Sequence, residues 1–192
     1  MIVTENFKQV LIESTEALRT WLEAHHSQPE SVWLVTYKKA VTGKYVSRQA
    51  VLDELISFGW IDGIRRRLDD QKTMQLISPR KSQHWAQSYK IRAEQLIATG
   101  RMHRAGQKAI DQSKEKGLWN FMDDVDRLEV PDDLACALKE SPKAKDFFDG
   151  INPSSKRFVL RWIKLAKTEK TRRNRISKIV SLSFKGEKLP GS

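Results

Sequence analysis

Cysteine is nearly absent from this chain: Cys136 is the only one in 192 residues. One thiol cannot close an internal disulfide, so a reducing compartment, the cytoplasm, is the expectation. The four histidines, His25, His26, His84 and His103, stand at no zinc-ligand spacing, so no metal site is expected. There is no phosphate-cradling glycine loop, no dinucleotide fingerprint and no nucleophile elbow. No cofactor is expected on that ground. No window of about eighteen uncharged apolar residues occurs, so no membrane span is expected. The opening stretch MIVTENFKQVLIESTEAL carries acids where a signal peptide carries bases, and no apolar run follows. Internal repeats and low-complexity tracts are also missing.

What is present is ordinary globular material with surplus positive charge. The 39% apolar content, with Trp, Phe and Leu recurring throughout, excludes a disordered chain. The length suits one large domain or two small ones. The net charge of +11 is unevenly placed. Residues 61–110 hold eleven basic and four acidic side chains, and 151–192 hold twelve and two. Between them, 111–150 hold six basic and eleven acidic side chains. Such blocks attract an anionic partner or neutralise one another within the molecule, and charge alone leaves both open.

Residues 14–26 predict a helix capped by Ser14, with Leu18, Trp21 and Leu22 on one face and Pro29 beyond its end. SVWLVTYKKA predicts a strand, and KYVS a short second one after Gly43. Ser47 caps a helix whose Val51, Leu52, Leu55 and Ile56 form a stripe, and Gly59 stands at its C-terminal end. IDGIRRRLDDQKTMQLISPRK predicts a β-hairpin with Ile64, Arg66 and Leu68 on one face and Arg65 and Arg67 on the other. Helices are expected over 84–99, with Trp85, Tyr89, Leu96 and Ile97 buried, and over 103–116. Beyond Leu118 come an acidic turn-rich stretch, short helices at 132–140 and 143–149, and a helix announced by Asn152 and Pro153. Phe158, Val159, Trp162, Ile163 and Ala166 form its core side. Thr168 caps the last helix, with Ile176, Ile179 and Val180 inward, and the GEKLPGS tail is expected to fray. Strands first and helices after predict an α+β fold. An N-terminal helix and small antiparallel sheet region, 1–117, precedes a helical, basic region, 118–192.

Three segments carry candidate binding residues. In FGWIDGIRRRLDD, a cleft reading places Trp60, Asp62, Arg65, Arg67 and Asp69 at a helix-to-strand corner, where a carboxylate positions anion-binding arginines. A scaffold reading makes Trp60 core and Asp62 a turn residue. In SPRKSQHW, Arg80 and Lys81 add cations and Trp85 a stacking surface, or Pro79 merely ends a strand and the aromatics face inward. In RWIKLAKTEKTRRNRISK, Arg161, Lys164, Arg172 and Arg175 resemble the footprint of a nucleic-acid surface, or solvated charge packed on the acidic run.

The pieces VWLVTYKK, FGWIDGIRRRLDD, SPRK with HW, RAEQLIATGRMHRAGQKAI and PSSKRFVLRWIKLAKTEKTRRNRI resemble the bacterial YdeI/OmpD-associated (OmdA-like, bacteriocin-protection) family. The resemblance runs from about residue 15 to 185; FGWIDG and the W-I-x-x-A-K-x-x-x-T-R pattern of Trp162 to Arg172 carry most of it. One departure is visible: where many members have W-S-x-x-N, Trp85 is followed by Ala86, Gln87, Ser88 and Tyr89. The resemblance implies a stress or bacteriocin-protection role and brings no catalytic residue or cofactor with it. With no export signal, protection would be exerted from inside the cell. Two functions are therefore expected in parallel. One is a binding or regulatory module for nucleic acid or an acidic protein. The other is a small enzyme or small-anion-binding protein with its cleft at the Trp60–Asp69 corner.

Overall fold

The computed structural model describes residues 7–191; the first six residues of the opening stretch and Ser192 of the tail lie outside them. The described chain forms two compact units, the first ending at Asn120 and the second beginning at Phe121.

The first unit runs β1 (Gln9–Ile12), α1 (Thr15–His25), β2 (Val32–Tyr37), α2 (Arg48–Ser57), β3 (Trp60–Arg67), β4 (Lys72–Pro79), α3 (Gln87–Ala98) and α4 (Arg104–Glu115). Its four strands form one sheet in the order β1-β2-β4-β3. The hairpin of β3 and β4 is antiparallel as expected, and β2 pairs antiparallel with β4. β1, which the sequence reading did not anticipate, pairs parallel with β2, so the sheet is mixed. KYVS is not a strand: residues 39–44 form turns and bends, 45–47 have no regular structure, and β2 takes its partners from β1 and β4. A continuous ladder of six residue pairs with β4 satisfies the β2 backbone better than a short return strand would.

The helices start where their caps place them. Ser14 and Ser47 side chains accept the amides of Ala17 and Ala50 at 3.1 and 3.0 Å, each satisfying an otherwise orphaned N–H. Leu18 and Leu22 of α1 and Val51 and Leu55 of α2 pack on Val10, Ile12, Val32, Leu34 and Ile77 of the sheet. Gly59 takes φ +73° at the end of α2, the left-handed conformation glycine adopts without strain. Trp85, Ile56, Ala93, Leu96 and Ile110 form a second cluster. Trp85 lies in the segment before α3 rather than on it, and Ile97 is 45% exposed, because α3 starts at Gln87 and its buried face falls on Ala93 and Leu96.

His103 caps α4 with its ring: Nδ1 accepts the Ala105 amide at 3.2 Å, which requires an unprotonated Nδ1. The ring stacks on Phe58 at 4.6 Å and lies 5.0 Å from His26. Burial, with His26, Arg104 and Arg19 adding to it and Glu23 opposing, holds His103 below the usual histidine range. A folded-state value beneath the unfolded one gives stability that is full above about pH 6.5 and is lost as pH falls through the lower folded value. Urea midpoints measured downward from about pH 8 are therefore expected to fall most steeply just below neutrality. In His103→Asn, which keeps a capping side chain without a titration, that part of the slope should disappear; an unchanged slope would assign it elsewhere.

The second unit is helical: α5 (Asp123–Asp126), α6 (Asp132–Lys139), α7 (Pro142–Gly150), α8 (Pro153–Lys164) and α9 (Glu169–Phe184). Asn152 and Thr168 cap α8 and α9 through the Ser155 and Thr171 amides at 2.9 and 3.1 Å. Leu134, Leu138, Phe148, Val159, Leu160, Ile163, Ile176 and Ile179 make its core. Phe158 is 40% exposed, and Leu160 occupies the inward position instead, because the buried arc of α8 is centred on Val159, Leu160 and Ile163. Leu189 packs into the same core, so the tail is anchored there rather than frayed.

Candidate functional site

Period-2 alternation places Asp62 with Ile64 and Arg66. The structure instead has a bulge between Asp62 and Arg65: three steps along β3 match two along β4. Residues directly opposite in a ladder share a face. Asp62 lies opposite Ile77, and Arg65 opposite Gln75, which itself lies opposite Leu34. Ile77 and Leu34 belong to the helix-side core. The extra residue therefore turns Arg65 to the same face as Asp62. Arg66, opposite Met74, sits on the other face with its guanidinium 5.4 Å from the Trp33 ring.

Asp62 is held by neutral donors. Tyr89 donates its phenol hydrogen to Oδ1, and Gln75 Nε2 donates to Oδ2 at 3.1 Å. Arg80, just past β4, donates its backbone N–H to the Gly59 carbonyl at 2.9 Å, which fixes it beside the start of β3. Its guanidinium lies 4.0 Å from the Trp85 ring and 5.8 Å from that of Tyr89. Nη1 donates to the Gln83 and His84 carbonyls at 3.3 and 3.5 Å. Nε is buried without an acceptor among the described residues, and the same is true of Arg65 Nε. Burial pushes the Arg80 guanidinium down to about 10, against the pull of Tyr89 and Asp62. Arg65 is lowered by burial first and then by Arg48, with Tyr45 and Asp62 opposing. Both cations thus feel the Asp62 carboxylate while its hydrogen bonds go to Tyr89 and Gln75.

The remaining candidates of this unit do not join that group. Trp60 is 1% exposed; its indole N–H donates to the His26 carbonyl at 3.1 Å and its ring meets the edge of Trp21. It is core, as the scaffold reading had it. Trp85 is equally buried, donates to Ser113 Oγ at 2.9 Å, and has the Arg80 guanidinium over its ring. Arg67 and Asp69 belong to the hairpin tip. Arg67 pairs with Asp70, while Asp69 accepts the Gln71 and Lys72 amides at 2.8 and 2.6 Å. The β4 partners of Arg67 and Asp62, Thr73 and Ile77, stand four positions apart, about 13 Å along the strand. Lys81 is exposed, with its amide on Gln83 Oε1.

In the second unit the acidic stretch takes up part of the basic charge. Lys164 pairs with Asp124 at 2.5 Å, and Arg172 grips Asp133 with two bonds at 2.6 and 2.9 Å. Arg172 holds the Asp133 carboxyl below the usual carboxylate range. Arg175 donates to the Trp162 carbonyl and lies 5.0 Å from its ring. Lys156 donates to the Asp149 carbonyl at 2.8 Å. Of the nine basic residues on α8 and α9, Arg157, Arg161, Lys170, Arg173 and Lys178 remain exposed, and Glu169 is the one carboxylate on either helix. Lys170, Arg173, Asn174, Ser177, Lys178 and Ser181 recur at helical spacing on the side of α9 opposite Ile176, Ile179 and Ser183.

Sequence reasoning passed over Gln75, Tyr45 and Arg48, and it took Tyr89 for a buried helix residue rather than a hydrogen-bond donor to Asp62. A polar residue at an inward position of a strand was the available signal for Gln75. Tyr45 and Arg48 reach Arg65 only through the tertiary fold.

No group of three or more His, Cys, Asp or Glu side chains among the described residues gathers to hold a metal ion, and no described helix is long and apolar enough to cross a membrane. Residues 10–109 match a family described as a domain of unknown function (DUF8412). Residues 127–186 match the family described as Bacteriocin-protection, YdeI or OmpD-Associated (OmdA). The expected resemblance is thus shown on PSSKRFVLRWIKLAKTEKTRRNRI, while FGWIDG lies within the other match. No curated protein and no solved structure matches the chain. The chain belongs to the DUF8412 family, whose sequence spans more than half of it, and its second unit carries an OmdA family segment.

Proposed function

We propose that the protein is a non-catalytic, cytoplasmic binding module of the bacteriocin-protection type, and that its anionic partner is nucleic acid, held by α8 and α9. The observation that carries this is the outer face of α9. After internal pairing is subtracted, it still presents Lys170, Arg173 and Lys178 with Asn174, Ser177 and Ser181 between them. Cations interleaved with amide and hydroxyl donors suit a phosphate backbone, whose contacts come from these side-chain types. None of these six side chains offers the apolar or aromatic centre that a protein interface needs, and the exposed Phe184 lies at the C-terminal end of the helix. The enzyme reading of the Trp60–Asp69 corner has less support, since Trp60 is core and Arg67 and Asp69 are spent on the hairpin turn.

The test is anisotropy binding of the full chain to mixed duplex and single-stranded DNA and RNA across a salt series, with polyglutamate as competitor. Log affinity should fall with log salt at a slope of roughly −0.9 for each duplex phosphate neutralised. Substituting Arg161, Lys170 and Arg173 with Gln should flatten that slope by about three such increments. An undiminished slope in the variant, or no binding at low salt, rejects the proposal. Polyglutamate displacing nucleic acid at equal charge would reassign the surface to an acidic protein.

A further inference from the structure

The first unit presents a second, chemically different arrangement. Arg65 and Arg80 each bury an Nε–H that no acceptor among the described residues takes up. A buried donor left unsatisfied is costly, so two of them on side chains that both interact with Asp62 call for a ligand. The committed bonds indicate which edge is open. Arg80 spends Nη1 on the Gln83 and His84 carbonyls, which leaves its Nε and Nη2 edge. That edge offers two parallel donors to one oxyanion. The Trp85 ring, 4.0 Å from the guanidinium carbon, and the two carbonyls on Nη1 hold Arg80 in place.

Charge narrows the ligand. Arg48 acts electrostatically on Arg65, and Asp62 is the carboxylate that acts on both Arg65 and Arg80. Asp62 is occupied by Tyr89 and Gln75, so it does not cap either open donor. Three cations against one anion leave two positive charges, which a carboxylate half-neutralises and a phosphomonoester, with about −1.5 to −2, matches. The bulge between Asp62 and Arg65 has a purpose in this light. A regular strand would turn Arg65 to the face that carries Arg66.

We propose that Arg65 and Arg80, set on either side of Asp62, form a receptor site for the phosphate group of a small phosphomonoester. The site uses none of the residues of α8 and α9, so it stands or falls separately from nucleic-acid binding.

Isothermal titration calorimetry of the full chain at low salt with phenyl phosphate, inorganic phosphate and acetate tests it. Saturable binding of phenyl phosphate is expected, weakened about tenfold in Arg65→Lys and in Arg80→Lys, because lysine keeps the charge and loses the fork. Inorganic phosphate binding as tightly as phenyl phosphate would make the free ion the ligand and leave the phosphate chemistry intact. Circular dichroism monitors folding. Arg80 packs on Trp85, so Arg65→Lys decides the matter if Arg80→Lys unfolds. Full binding in the Lys170→Gln, Arg173→Gln double variant is also expected. The proposal is overturned by a lack of saturation, by acetate binding as tightly as phosphate, by unchanged affinity in Arg65→Lys, or by loss of binding in the α9 variant.

Discussion

Replacing both Arg19 and Arg101 with methionine is expected to destabilise the first unit by about 3–5 kcal/mol, the cost of stranding a buried charge. The charge is Glu54, in the middle of α2 and 1% exposed. Arg19 Nη1 donates to its Oε2 at 3.0 Å, and Arg101 Nη2 to its Oε1 at 2.5 Å. The two arginines have 34% and 47% of their side-chain surface in water, so they can rehydrate if the carboxylate is removed, whereas Glu54 cannot if they are. The effect is therefore asymmetric. Glu54→Leu should cost less than the arginine double variant, and adding Glu54→Leu to that variant should recover much of the loss. Urea unfolding of the four proteins measures the cycle. Additive losses would mean that the carboxylate is not the stranded group.

Gly106→Ala is expected to be the most damaging single methyl in the chain. Gly106 lies on α4 where it crosses the end of α2. A Cβ there would sit 2.2 Å from the Ser57 carbonyl oxygen, 2.6 Å from Met102 sulfur and 2.7 Å from the Ile56 carbonyl oxygen. Two of the three are backbone atoms, which cannot swing aside as a side chain can. The helices must separate, and with them the Trp85–Ile110 cluster and the His103 cap. A loss of about 3 kcal/mol is expected, at the upper end for overpacking, because helix propensity would otherwise favour alanine by about 1 kcal/mol. Gly100→Ala is the control. Nothing lies within 4 Å of a Cβ there, so its cost, set by the φ of +68°, should be smaller. A Gly106→Ala protein as stable as the parent would show that the close helix approach is not obligatory.

Glu54 shows why part of the fold was illegible. The stripe Val51, Leu52, Leu55 and Ile56 marks the buried arc of α2 correctly except at Leu52, which is half-buried, and at Glu54, which is buried though charged. Nothing local distinguishes a glutamate that will meet arginines 35 positions before it and 47 after it. The candidate site divides in the same way. Asp62, Arg65 and Arg80 were legible as residues, from a carboxylate and arginines near a helix-to-strand corner. Their grouping was not, because it depends on a bulge whose register is set by β4. In α8 and α9 the charge blocks were plain in the sequence, yet Lys164 with Asp124 and Arg172 with Asp133 pair across 40 and 39 residues.

By itself the sequence determined the local features. The helix starts at Ser14, Ser47, Asn152 and Thr168 follow from side chains that reach amides three residues on. The β3–β4 hairpin, the glycine end of α2, the α+β class and the kinship of the second unit were legible for the same reason, since each is written within a short window. Tertiary structure alone decided the parallel β1, the inward turn of Arg65, the burial of Glu54, and which cations keep a free edge. Those outcomes depend on register and desolvation among residues distant in the chain, where each group's state is set by partners that no local window contains.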